Sequence, residues 1–138
     1  MPKFSTLSYV AGRLGLAATA AVSAAVVAAS PAAAVTYGYG PWYDGLKGAK
    51  AYFAKTGDHL KVCDIKSDGE VAQVKVRDET MNAYLYTLKD TYNDGRCHYA
   101  SAADGGVHNL PEKHWISFTV QTGNYMFDSK KFNIYNDA

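Results

Sequence analysis

The stretch CDIKSDGEVAQVKVRD, residues 63–78, decides the fold, because its two halves invite different readings. The first half has the acidic spacing that opens a calcium loop. An EF-type loop places oxygen ligands at its first, third and fifth positions, glycine at the sixth and a bidentate glutamate at the twelfth. Counted from Asp64, the third position is Lys66 and the twelfth is Lys75. Two ammonium groups stand where a dication needs oxygen, so the stretch is read as carrying no metal. The second half alternates: Ala72, Val74 and Val76 face one way, and Gln73, Lys75 and Arg77 the other. That is a strand with one wet face. Asp68-Gly69 before it supplies the positive φ of a tight turn, and a hairpin between two strands is expected there.

The same pattern extends outward from this strand. AKAYFA (49–54), HLKVCDI (59–65), NAYLYTLKD (82–90), CHYASAA (97–103), KHWISFTVQ (113–121), YMFD and KFNIYND are rich in β-branched and aromatic residues. They are separated by KTGD, YNDGR, DGG and TGN. Strands at such short, regular spacing read as an all-β sandwich or barrel. The expectation is one small antiparallel β-sandwich over 49–138, with about seven to eight strands. In KHWISFTVQ, His114 shares the apolar side with Ile116, Phe118 and Val120, and is read as a core histidine.

Residues 1–34 read as an export signal. Lys3 and Arg13 form a basic front, LGLAATAAVSAAVVAAS (14–30) is the apolar run, and Ala32 and Ala34 give the A-x-A spacing before Val35. The run is alanine-rich, ends at Pro31, and is shorter than the roughly 20 apolar residues of a spanning helix. Cleavage is expected after Ala34, giving a secreted, extracellular product with no stable membrane anchor. Removing 34 of 138 residues leaves 104, with 12 basic and 13 acidic side chains. Charge so balanced gives no electrostatic case for nucleic acid. Cys63 and Cys97 are the only cysteines, and a pair in an exported chain reads as a disulfide.

Between the signal and the first expected strand lies VTYGYGPWYDGLKG (35–48). Its glycines and Pro41 disfavour a regular element, so it is expected as an extended aromatic arm. Tyr37, Tyr39, Trp42 and Tyr43 either fold back over the domain's own sheet or enter a partner's groove or sheet edge. They are the candidate partner-binding residues.

Catalytic signatures are missing from the sequence. There is no G-x-S-x-G serine, no HExxH or paired CxxC, and no glycine-rich phosphate loop. No catalytic residue, metal ligand or cofactor is assigned. Ten tyrosines remain after Tyr9 leaves with the signal. Tyr84, Tyr86, Tyr92, Tyr99, Tyr125 and Tyr135 suit strands, half-buried one by one, and together suit binding because tyrosine offers contact area at low entropic cost.

The residues AYF (51–53), Gly57, Asp58, Val62, Cys63, Asp64, Asp68, Gly69, Gly95 and Cys97 resemble a group of small exported actinobacterial β-sandwich proteins with two cysteines. Proteins of that build resemble the small adaptor subunits of umbrella-shaped secreted antibacterial toxin particles. The resemblance implies a non-enzymatic adaptor joining a large toxin subunit to a lectin-like one, with the arm along the large subunit. The alternatives are a protease inhibitor presenting GGVHNLPEK (105–113) and a wall- or carbohydrate-binding module.

Overall fold

The computed structural model describes residues 33–124 and 126–138. The signal reading falls outside these residues except at Ala33 and Ala34, and Tyr125 also lies outside them. The described residues are all-β: eight strands in two four-stranded antiparallel sheets. The strands are β1 (Tyr39–Tyr43), β2 (Ala49–Ala54), β3 (His59–Asp64), β4 (Ala72–Asp78), β5 (Ala83–Asp90), β6 (His98–Ala100), β7 (His114–Thr122) and β8 (Lys130–Asn136). The first sheet runs β1-β2-β3-β6 and the second β5-β4-β7-β8.

Alternation along the strands builds the core between the sheets. Ala51, Phe53, Leu60 and Val62 come from the first sheet, and Ala72, Val74, Val76, Ile116, Phe118 and Val120 from the second; all are fully buried. The rings of Phe53 and Phe118 meet across the gap at 4.6 Å. Each of the Val, Leu, Ile and Phe side chains in this set contributes about 1.5–3 kcal/mol by leaving water.

The Asp68-Gly69 turn differs from its expected role. Gly69 has φ +77, and Asp68 Oδ1 accepts from the Glu70 amide at 3.0 Å. However, β3 pairs with β2 and β6, whereas β4 pairs with β5 and β7. The segment is therefore a crossing from one sheet to the other, not a hairpin. Length is the physical reason: seven residues separate Asp64 from Ala72, more than a tight two-residue turn uses. A buried carboxylate fixes the crossing, since Asp90 Oδ2 accepts from the Asp64 amide at 2.8 Å. Met126–Asp128, expected within a strand, likewise form a short 3-10 turn before β8.

The arm also differs from its expected form. Residues 39–43 are strand β1, hydrogen-bonded to β2, so the first sheet begins at Tyr39 and not at Ala49. A register break between Tyr39 and Trp42 carries the effect. Residues three apart on a regular strand point to opposite faces, but the extra residue of an irregular ladder resets that parity. Tyr39 and Trp42 consequently both pack on the core. Gly40 sits at φ +104, and a Cβ there would lie 2.6 Å from the Ala51 carbonyl, so only glycine fits. The following turn is held by Asp44, whose Oδ1 accepts from Gly48 at 2.8 Å and Ala49 at 3.0 Å.

Cys63 and Cys97 are bonded, with Cα atoms 4.3 Å apart. They continue the β3–β6 register, in which Val62 faces His98. The disulfide therefore fastens a three-residue strand that would otherwise have little to hold it.

Candidate binding faces

The outer face of the first sheet carries one row of side chains across three strands. Tyr52 on β2 lies opposite Lys61 on β3, which lies opposite Tyr99 on β6. The Lys61 ammonium sits 5.2 Å from the Tyr52 ring centroid and 5.8 Å from those of Tyr99 and Tyr37. Tyr37, from the segment before β1, packs on Tyr52 at 5.8 Å. Lys50 reaches the Tyr52 ring at 5.7 Å. Tyr43, opposite Lys50 on the same face, is exposed. Each exposed cation–ring contact contributes about 0.5–1 kcal/mol. Neither Lys50 nor Lys61 pairs with a carboxylate among the described residues. Burial, and then the neighbouring Tyr99, hold the Tyr37 hydroxyl above its usual pKa.

The four arm aromatics thus divide. Tyr37 and Tyr43 belong to this outer face. Tyr39 and Trp42 are spent on the interior, Tyr39 against Phe53 at 6.3 Å and Trp42 against Phe118 at 5.4 Å. Of the other tyrosines named from sequence, Tyr84, Tyr92, Tyr99 and Tyr135 are exposed, and Tyr86 is buried. Burial is also the main reason the Tyr86 hydroxyl is held far above its usual pKa.

The outer face of the second sheet has a different chemistry. Trp115, 53% exposed, lies opposite Tyr135, with the rings 5.4 Å apart and tilted by 59°. Beside them is a shallow depression of about 270 Å³ lined by Glu79, Thr80, Trp115 and Asn133. Glu79 Oε1 accepts from Ser117 Oγ at 2.6 Å and pairs with Lys131 at 2.8 Å and Arg77 at 3.9 Å. The Lys131 ammonium first, and then the Ser117 hydroxyl, hold the Glu79 carboxyl below its ordinary range. A larger depression, about 500 Å³, is lined partly by Ala33 and Ala34. Cleavage after Ala34 would remove part of its wall.

His114 is half-buried, its Nδ1 2.6 Å from Asp78 Oδ2. Burial opposes ionisation of Asp78, but the His114 bond and the Met81 amide outweigh it and lower its pKa. In the 105–113 loop Leu110 is buried, and its amide donates to Asp58 Oδ2 at 2.8 Å. The largest aliphatic side chain of that loop therefore faces the core and not a protease subsite. Among the described residues no three His, Cys, Asp or Glu side chains converge as a metal-ligand set.

Comparison of the chain with protein-family models, with curated proteins and with solved structures gives no match.

Sequence reading missed the Tyr52–Lys61–Tyr99 row, yet the signal was present. A bond between Cys63 and Cys97 in an antiparallel pair sets residue 61 opposite residue 99.

Proposed function

We propose that the exported chain is a non-enzymatic protein-binding module that docks through the outer face of its first sheet. The observation carrying this reading is the ammonium of Lys61, framed by the rings of Tyr37, Tyr52 and Tyr99 without a carboxylate partner. Tyrosine and cationic side chains on a rigid sheet give contact area at small entropic cost. The complementary partner surface is acidic and ring-bearing. Tyr43 and Lys50 extend the face along β1 and β2.

The specific form of the reading is an adaptor in a secreted toxin assembly, supported by the resemblance in the Gly57–Asp58, Val62–Asp64, Asp68–Gly69 and Gly95–Cys97 positions. In that form the large subunit would meet the Tyr37–Tyr99 face. It would not receive Trp42, whose ring is inside.

Co-purification tests the proposal. The full chain with a C-terminal tag is recovered from culture fluid beside its Lys61→Glu and Tyr99→Ala variants. A stoichiometric protein partner retained by the parent and lost by both variants is expected. Equal recovery by all three would refute docking at this face.

A further inference from the structure

Trp115 takes no part in the hydrophobic core. The chain's other tryptophan, Trp42, is spent on the core, whereas Trp115 holds its indole in solvent on the wet side of β7. An exposed ring beside convergent polar groups is what a small-ligand subsite requires. We infer that Trp115, Tyr135, Glu79, Thr80 and Asn133 form a binding site for an uncharged pyranose ring of a glycan, with the sugar's apolar face laid on the indole.

The polar inventory matches hydroxyl groups, which donate and accept at once. Glu79 supplies an ionised acceptor. Thr80 Oγ1 accepts from the Trp115 amide at 2.9 Å, so its own proton remains available to a ligand. The Asn133 amide makes no side-chain hydrogen bond among the described residues and offers both a donor and an acceptor. Tyr135, tilted by 59° against the indole, packs on it from beside the depression.

Charge separates this ligand from the other class that aromatic and acidic groups attract. A quaternary ammonium is held by the faces of several rings forming a cage, with a free anion adding to the attraction, and here the depression is lined by one ring. Here Lys131 and Arg77 already answer Glu79, leaving no surplus anion. A peptide is disfavoured as well. The depression lies on the face of the sheet and not along the open outer edge of β8, and the backbone groups of β4 and β7 beside it are already paired on both sides. Its volume, about 270 Å³, falls below the roughly 300–1,000 Å³ of sites enclosing drug-sized ligands. One ring of a longer chain fits it.

This inference is independent of protein docking on the first sheet, and the two are tested by variants on different faces. Isotope-labelled protein is titrated by NMR with cellotetraose, chitotetraose and maltotetraose, each to about 10 mM, the weak-affinity range expected of a single subsite. At least one sugar should shift the Trp115 indole N–H and leave that of Trp42 in place. Trp115→Ala should weaken binding by about tenfold or more, and Asn133→Ala should weaken it with the fold untouched. Tyr99→Ala should bind as the parent does. No shift with any of the three sugars, or unchanged binding by both Trp115→Ala and Asn133→Ala, would overturn the assignment.

Discussion

The indole of Trp42 lies flat on the ring of Phe132, with centroids 4.9 Å apart and planes within 6° of parallel. The contact joins β1, at the edge of the first sheet, to β8, at the edge of the second. An arm that the sequence allows either to fold back or to reach a partner is, at Trp42, a seam of the sandwich. Trp42→Ala should cost about 3 kcal/mol, near the low end for removing a large core aromatic because the indole is only half-buried. A Tm fall of more than about 10 °C is expected for a domain of this size. Tyr43→Ala, on the outer side of the same strand, should change stability by less than about 1 kcal/mol. Paired thermal melts distinguish the two.

Gly40→Ala should detach β1. The added Cβ meets the Ala51 carbonyl at 2.6 Å and the backbone sits at φ +104, so the ladder must open or shift. Hydrogen exchange should show faster exchange along β1 and its β2 partners, with β4 and β7 unchanged.

Replacing Cys63 and Cys97 together by serine should cost about 4 kcal/mol, the loop-closure value for a separation of 34 residues. The loss should be read first at β6, because that strand has only three residues and pairs with β3 alone. Urea denaturation of the double variant, followed by exchange at Tyr99 and Ala100, provides the check.

Acid stability follows from Asp78 and Glu79, whose carboxyls are both held below their ordinary values. In the unfolded chain such groups titrate near about 3.9 and 4.3. Their stabilising contribution is complete above those values and is lost as pH falls through the lower folded ones. Asp58 acts with the opposite sign. Burial raises its pKa, so its contribution favours the fold below the unfolded value and declines as pH rises through the raised folded one. Urea midpoints measured between about pH 2 and pH 7 should fall on the acid side for the parent. Asp78→Asn should flatten that limb, and an unflattened profile would contradict the assignment.

Asp58 also clamps two distant segments. It accepts from the Leu110 amide at 2.8 Å and from Asn136 Nδ2 at 3.3 Å. Asp58→Ala leaves both donors buried without a carboxylate and should cost about 2–3 kcal/mol, measured by the same denaturation.

Local pattern carried most of the fold. The apolar sets Ala72, Val74, Val76 and Ile116, Phe118, Val120 read directly as inward faces, because period-two alternation is imposed by the pleat itself. The cysteine pair and the eight-strand scale were equally legible. Sheet partnership was not, since β3 and β4 are neighbours in sequence and belong to different sheets. The Asp68-Gly69 pair within Ile65–Val71 reads as a hairpin turn, and only the segment's length, known once the strand ends are fixed, speaks for a crossing. The fate of Tyr39 and Trp42 was hidden for a similar reason: their common side depends on an irregular ladder with β2, and parity counted along the sequence gives the opposite answer. The Tyr52–Lys61–Tyr99 row was legible only through the disulfide, which links register across a long intervening segment. Trp115 and Tyr135 each stood on strands expected from sequence. Their juxtaposition needed the β7–β8 register.

Lysine labelling of the complex with the co-purified protein bears most directly on docking at the first sheet. The chain is modified free and bound, and each lysine is quantified by mass spectrometry. Lys50 and Lys61 should lose reactivity in the complex while Lys75 and Lys131 keep theirs. Protection confined to Lys75 and Lys131, with Lys61 as reactive as in the free chain, would contradict it.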